Sequence, residues 1–202
     1  FNSKIEGFGS HTFISSIKGK SSNNIINATL LTTFSTREND NNNEISKSNL
    51  ELIETKIGQL SKTPIYLNDY RLLRKGLLEE ITSSYGNFPI TDNIIFSCVY
   101  EANPYYDING VGLLYFAAYP IISDSCSLEY FNDTKALSYQ TVYRDIFYFA
   151  NCNPTDKIIF QLNFIDQNEN IIRTLTSLYR QSDNKLLAKI LTVKEIINGN
   201  KH

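Results

Sequence analysis

A stretch of apolar residues that ends in proline limits this chain more than any other feature. Val111, Leu113, Leu114, Tyr115, Phe116, Ala117, Ala118 and Tyr119 are interrupted only by Gly112, and Pro120 follows. Wound as a helix from about Val111, these residues place apolar side chains on every side, so the helix must be enclosed rather than laid on one face. The stretch is far shorter than the ~20 residues a bilayer span requires. Pro120 removes a backbone donor and clashes with the preceding turn, so a helix running on to Phe131 is kinked or interrupted.

The neighbouring patterns say what could enclose it. A short strand, Ile94 to Tyr100, and an Asn103-Pro104 turn precede it. Thr141 to Ala150, Lys157 to Asp166, Ile171 to Arg180 and Leu186 to Ile196 follow as strand patterns, with Asn-, Gln- and Asp-rich turns between them. Strand, helix, then antiparallel meander is an α+β order. A curved sheet wrapped about a central helix, the hot-dog arrangement, satisfies it; a helix held between a sheet and a second domain is the other solution. Upstream, His11 to Lys18 and Ile25 to Arg37 read as strands, and the polar run Glu38 to Asn49 reads as an exposed loop. Tyr70, Leu73, Leu77 and Ile81 share one face at helical spacing, which predicts an amphipathic helix with Asn68 or Asp69 as N-cap and an end at Tyr85 to Pro89.

Charge and cysteine content exclude several classes. The formal net charge is −2 over 202 residues, and Lys and Arg occur singly. There is no basic stripe for nucleic acid or an anionic membrane. Cys98, Cys126 and Cys152 form no metal-type pair, which reads as reduced thiols in a cytoplasmic protein; without a histidine cluster no metal site is expected. The chain has no methionine and begins Phe1-Asn2-Ser3, so the expectation is a processed chain or a fragment.

Asp107-Ile108-Asn109-Gly110-Val111 is the segment best placed for chemistry. Gly110 permits a sharp turn and close ligand approach. The first turn of a helix offers unpaired N–H groups and positive dipole density, which would stabilise the oxyanion formed from a thioester carbonyl. Asp107 could act as base or nucleophile or orient a water, and Asn109 could hold an acyl oxygen. Asp and Asn ahead of a helix are also the preferred caps, so a purely structural role stays open.

Asp107, then Gly110-Val111, then Tyr115 and Tyr119 in an apolar helix resembles the D-x-x-G-V…Y signature of the 4-hydroxybenzoyl-CoA-thioesterase-type hot-dog proteins. That resemblance implies Asp107 beside the acyl carbonyl and Gly110 and Val111 at the helix start that receives the thioester oxygen. A longer match, NPYYDINGVGLLYFAAYPIISD with VYRDIFYFAN and the upstream LLTTFSTR, resembles a double hot-dog family of polyketide and related secondary metabolism. Its best-understood branch comprises bifunctional acyltransferase/decarboxylases that convert methylmalonyl-CoA to a propionyl unit on a carrier protein. The resemblance implies a double hot-dog with a truncated first repeat. Residues 1–49 would be the last strands of the first repeat, 50–93 a helical connector, 94–197 the second hot-dog and 198–202 a tail. The acyl-accepting tyrosine of that branch would lie in the missing part, so no residue here inherits its role.

Several further residues join the candidate site. Arg144 is suited to the diphosphate or phosphopantetheine arm, or to a surface pair with Asp145. Asn151 is suited to a pantetheine amide, or to the turn before Pro154. Tyr115 could line the acyl site or simply pack, and His11 could serve a first-domain site or sit on a strand as a bystander. The function expected is acyl transfer from acyl-CoA to a carrier protein, with or without decarboxylation. Thioester hydrolysis and a non-catalytic, acyl-binding or structural repeat are the alternatives. CoA or phosphopantetheine enters as carrier rather than cofactor. Acyl-CoA and an acyl carrier protein are the expected partners, and a homodimer stays open.

Overall fold

Thr, Ile, Leu and Phe suit a pleated surface, and about half of the described residues lie in antiparallel strands. The computed structural model describes residues 2–8, 12–20, 25–33, 35–37, 41–42, 45–47, 60–132 and 138–197. It divides into two units, Phe1–Asn68 and Asp69–His202. In the first, β1 (Asn2–Phe8), β2 (Thr12–Lys20) and β3 (Ile25–Thr33) form an antiparallel sheet in that order. β4 (Ser35–Arg37) and β5 (Ile45–Lys47) form a separate ribbon. The expected strand Ile25 to Arg37 is therefore two strands, and part of the expected loop 38–49 is β5. His11 lies outside the described residues.

The helix α1 (Ile65–Arg74) starts behind Pro64 rather than at Asn68 or Asp69, and it ends well before Ile81. Gly76 stops it: at φ +67 it lets its own N–H reach Leu73 O, and the Leu77 N–H reach Leu72 O, each at 3.0 Å. This pair of bonds is the Schellman arrangement, which glycine alone adopts without a Cβ penalty. Ile81 instead sits in β6 (Glu80–Ser83), paired with β7 (Gly86–Pro89).

The main sheet is built from β8 (Phe96–Glu101), β9 (Tyr139–Tyr148), β10 (Lys157–Gln167), β11 (Ile171–Arg180) and β12 (Lys185–Ile196). Its order is β8-β10-β11-β12-β9, with every neighbour antiparallel. The helix α2 (Ala118–Phe131) carries the chain from one edge strand to the other. This α+β layout is hot-dog-like, as the order of sequence patterns predicts. Ala118, Ile122 and Cys126, spaced by one helical turn, bury with Tyr119 against Ile158, Phe160, Leu162 and Ile190 of the sheet. The opposite face is also covered: Leu175, Leu191 and Val193 pack with Leu73, Ile81 and Phe88. That double cover explains why β11 and β12 read as nearly continuous buried runs.

The helix start requires a correction. Val111 to Ala117 is loop, because Asn109 Oδ1 captures the N–H groups of Val111 and Leu113 at 3.1 and 3.0 Å. Ile108 and Leu114 meet as an isolated antiparallel bridge, and Gly112 turns at φ +78. Starting at Ala118 also puts Pro120 in the first turn, where a missing N–H costs no intrahelical bond. The apolar run is also not enclosed on every side as expected: Val111, Tyr115, Phe116 and, within α2, Ile121 are exposed.

Candidate functional site

Between β8 and α2 the chain folds into a pinned loop, and most of the sequence-derived site residues fall there. Asp107 is 4% exposed. Its Oδ2 accepts the Tyr100 hydroxyl at 2.9 Å and the Asn103 N–H at 2.7 Å. Its carbonyl accepts the Tyr115 N–H at 2.6 Å. Among the described residues its Oδ1 accepts no hydrogen bond. Burial, then the hydrogen bond to and the charge of Asp107, pushes the Tyr100 phenol up to about 12. Tyr100 is thus a neutral donor throughout the physiological range and fixes the carboxylate as acceptor.

Asn151 is the second pin. Its Oδ1 accepts the N–H groups of Leu114 and Cys152, both at 2.8 Å, while its Nδ2 donates to Leu114 O at 3.1 Å. Arg180 in turn donates to the Asn151 carbonyl at 2.6 Å and pairs with Asp183. The pin therefore ties the 113–115 backbone to the β9–β10 connection and β11. Tyr119 adds a further tie, donating to Ala150 O at 3.0 Å, and Tyr148 donates to Phe116 O at 3.1 Å.

Asp107, Asn109 and Tyr115 lie together in this loop, and Asn151 meets it from the β9–β10 connection. Gly110 and Val111 share it but sit on its outer turn, exposed, and they are not the first turn of α2. The helix start with its dipole lies at Ala118 and Tyr119 instead, where the Ala118 N–H is already given to Tyr115 O at 2.8 Å. The N-cap of α2 is Ala117, which offers no side-chain cap. Arg144 is placed elsewhere: it donates to Asp124 at 2.7 Å, half-way along α2, and reaches Thr192 at 3.3 Å. Asp124 also pairs with Lys194. The surface pair of Arg144 with Asp145 is replaced by this helix–strand pair, because side chains one apart on β9 point to opposite faces. Burial raises the Asp145 carboxyl instead.

Tyr100, Arg180 and Asp124 were not legible as partners. Tyr100 and Arg180 each act from a strand onto a loop and Asp124 from the helix onto a strand, and no periodic spacing announces such pairs. Burial pushes the Cys152 thiol up to about 12 and also raises Cys126 and Cys98. None of the three is an activated thiolate. Among the described residues no cluster of His, Cys, Asp and Glu could hold a metal ion, and no helix is long and apolar enough to cross a membrane.

No protein-family model matches the sequence, and no curated protein sequence matches it either. Solved structures do show partial likeness. A 1,4-dihydroxy-2-naphthoyl-CoA thioesterase from Synechocystis is 18% identical, over 50% of this chain and 81% of its own, with a TM-score of 0.45. A thioesterase from Thermus thermophilus, solved with coenzyme A and zinc, is 12% identical over 54% and 89% of the two chains, at 0.47. A probable thioesterase from Bartonella henselae is 13% identical over 52% and 92%, at 0.45.

Proposed function

We propose that the unit Asp69–His202 is an acyl-thioester hydrolase domain. The observation that supports this reading most is the pinned loop ahead of an uncapped α2. It holds a buried carboxylate with one oxygen tied down and the other accepting no hydrogen bond among the described residues. Tyr105, Tyr106, Tyr115 and Phe116 are exposed on the same loop and offer an apolar landing for an acyl group. In the proposed reaction Asp107 Oδ1 takes a proton from water as the oxygen attacks the thioester carbon. The Tyr119 N–H and the positive end of the α2 dipole receive the developing oxyanion, since Pro120 has no N–H and that of Ala118 is given to Tyr115 O at 2.8 Å. The C–S bond then breaks, and the thiolate takes up the proton. Asn109 and Asn151 hold the loop's shape, and Gly110 and Val111 form its outer turn.

Transfer to a carrier protein is the finer reading that the sequence resemblance favours. It needs only that the acceptor thiol of a phosphopantetheine arm replace the water. In the same proposal the first unit supplies the closing strands of a preceding hot-dog repeat, and His11 is its candidate group. A cytoplasmic enzyme, working as a homodimer, completes the picture.

The test is turnover of acyl-CoA, with methylmalonyl-CoA included, in the presence and absence of a holo carrier protein. Free acid and CoA are expected; an acylated carrier would move the assignment to transfer, and loss of CO2 would add decarboxylation. Asp107→Asn keeps an acceptor for Tyr100 and Asn103, so folding should survive while turnover falls at least a hundredfold. Unchanged turnover in a folded variant would reduce Asp107 to a loop cap. Absence of both turnover and CoA binding would favour the non-catalytic repeat.

A further inference from the structure

A second polar constellation lies on the sheet face opposite α2, and the thioester reading makes no use of it. The middle of β12 runs Leu-Leu-Ala-Lys-Ile-Leu-Thr-Val, and the one lysine within that run, Lys189, is only 5% exposed. A lysine so buried needs its ammonium satisfied. Its Nζ donates to Asp92 Oδ1 at 3.0 Å and to Ser177 Oγ, directly across on β11, at 3.2 Å. Ser177 gives its own proton to Asn163 Oδ1 at 2.6 Å, and Asn163 donates to Asn93 O at 2.9 Å. This relay leaves Ser177 Oγ as an acceptor and fixes the direction of the lysine. The third N–H of Lys189 has no partner among the described residues.

Lys189 lines a cavity of about 310 Å³, within the lower range of small-ligand sites. Leu73, Leu78, Ile90 and Leu186 supply apolar wall, and Arg74 stands at it with no hydrogen bond or ion pair among the described residues. Arg74 and Lys189 against Asp92 leave one positive charge in excess. Asp92 is 86% exposed, so water screens its hold on the lysine.

We propose that this cavity binds a carboxylate with an apolar body, of the medium-chain fatty acid class. Its head group is held by Arg74 and the unspent donor of Lys189. Two cations and an aliphatic wall lining one cavity match an amphiphile, and a bare inorganic anion would leave the leucine and isoleucine surface without a partner. The site does not depend on the chemistry at Asp107.

Isothermal titration of the full chain with decanoate, and with decanol as the uncharged control, tests it. Decanoate should bind and decanol should bind at least tenfold more weakly. Arg74→Ala, an exposed change that leaves folding intact, should weaken decanoate about tenfold, and Lys189→Met should weaken it further. If Lys189→Met does not fold, Arg74→Ala decides alone. Equal binding of decanol and decanoate, or unchanged affinity in Arg74→Ala, overturns the proposal. Binding that disappears in Asp107→Asn and survives in Arg74→Ala places the acid at the loop instead and overturns it equally.

Discussion

Asn151→Ala probes how the loop around Asp107 is held. Three hydrogen bonds leave with the side chain, two accepted at 2.8 Å and one donated at 3.1 Å. Each is worth ~1 kcal/mol net, and stranding a buried amide adds to that. Leu114 is 2% exposed, so water cannot simply replace the lost acceptor. The expected loss is ~3 kcal/mol of unfolding free energy. That is a large share of a typical domain's 5–15 kcal/mol or so. In urea, with a slope of ~1.5 kcal/mol/M, the midpoint should fall by ~2 M. Asn151→Asp keeps both accepting bonds but sets a carboxylate oxygen against Leu114 O, so it should fall between wild type and alanine. Urea unfolding followed by circular dichroism gives the energies, and amide hydrogen exchange at Leu114 gives the local cause. If the alanine variant stays within ~0.5 kcal/mol of wild type with Leu114 still protected, Asn151 is not the pin.

Gly86→Ala should destabilise by ~2 kcal/mol in the same urea assay. Its φ is +96, and an added Cβ would lie 2.6 Å from Arg173 Nη1, which holds the hairpin through Tyr85 O and Asn87 O. A neutral result would mean the hairpin tolerates a different turn. Hydrogen bonding from Arg180 lowers the Asp183 carboxyl from 3.8 to about 2. A pKa lower in the folded than in the unfolded state gives stability that is complete above about pH 4 and disappears as pH falls toward 2. Asp183→Asn should therefore be less stable than wild type at pH 6 and converge with it near pH 2; a pH-independent gap would contradict the assignment.

Strand positions were the most legible part of the chain. Ile171 to Arg180 appears as β11 with the bounds its pattern predicts, because two buried faces demand a continuous run of β-formers between strong turns. Helix limits were not. The apolar run at 111–119 satisfied a helical pattern, yet Asn109 and Gly112 redirected its backbone, and a single side chain that competes for two N–H groups is invisible to periodicity. Likewise Ile81 fitted the face of α1 until Gly76 ended it. In the candidate site, Asp107 and Asn151 were found as polar residues in suggestive places. Their partners Tyr100, Leu114 and Arg180 come from other elements, so the roles of those groups could not be read locally.

By itself the sequence determined the α+β order, the main strands and the segment that carries Asp107, since each rests on short-range pattern and steric preference. Tertiary structure alone decided where α2 begins, which carboxylate oxygen is tied, and that Arg144 serves Asp124 rather than the loop. It also decided that Lys189 opens into a cavity with Arg74. The first two are contacts within seven residues whose choice of partner no periodic pattern encodes; the others join residues far apart in the chain, and their geometry exists only once the sheet has brought them within reach.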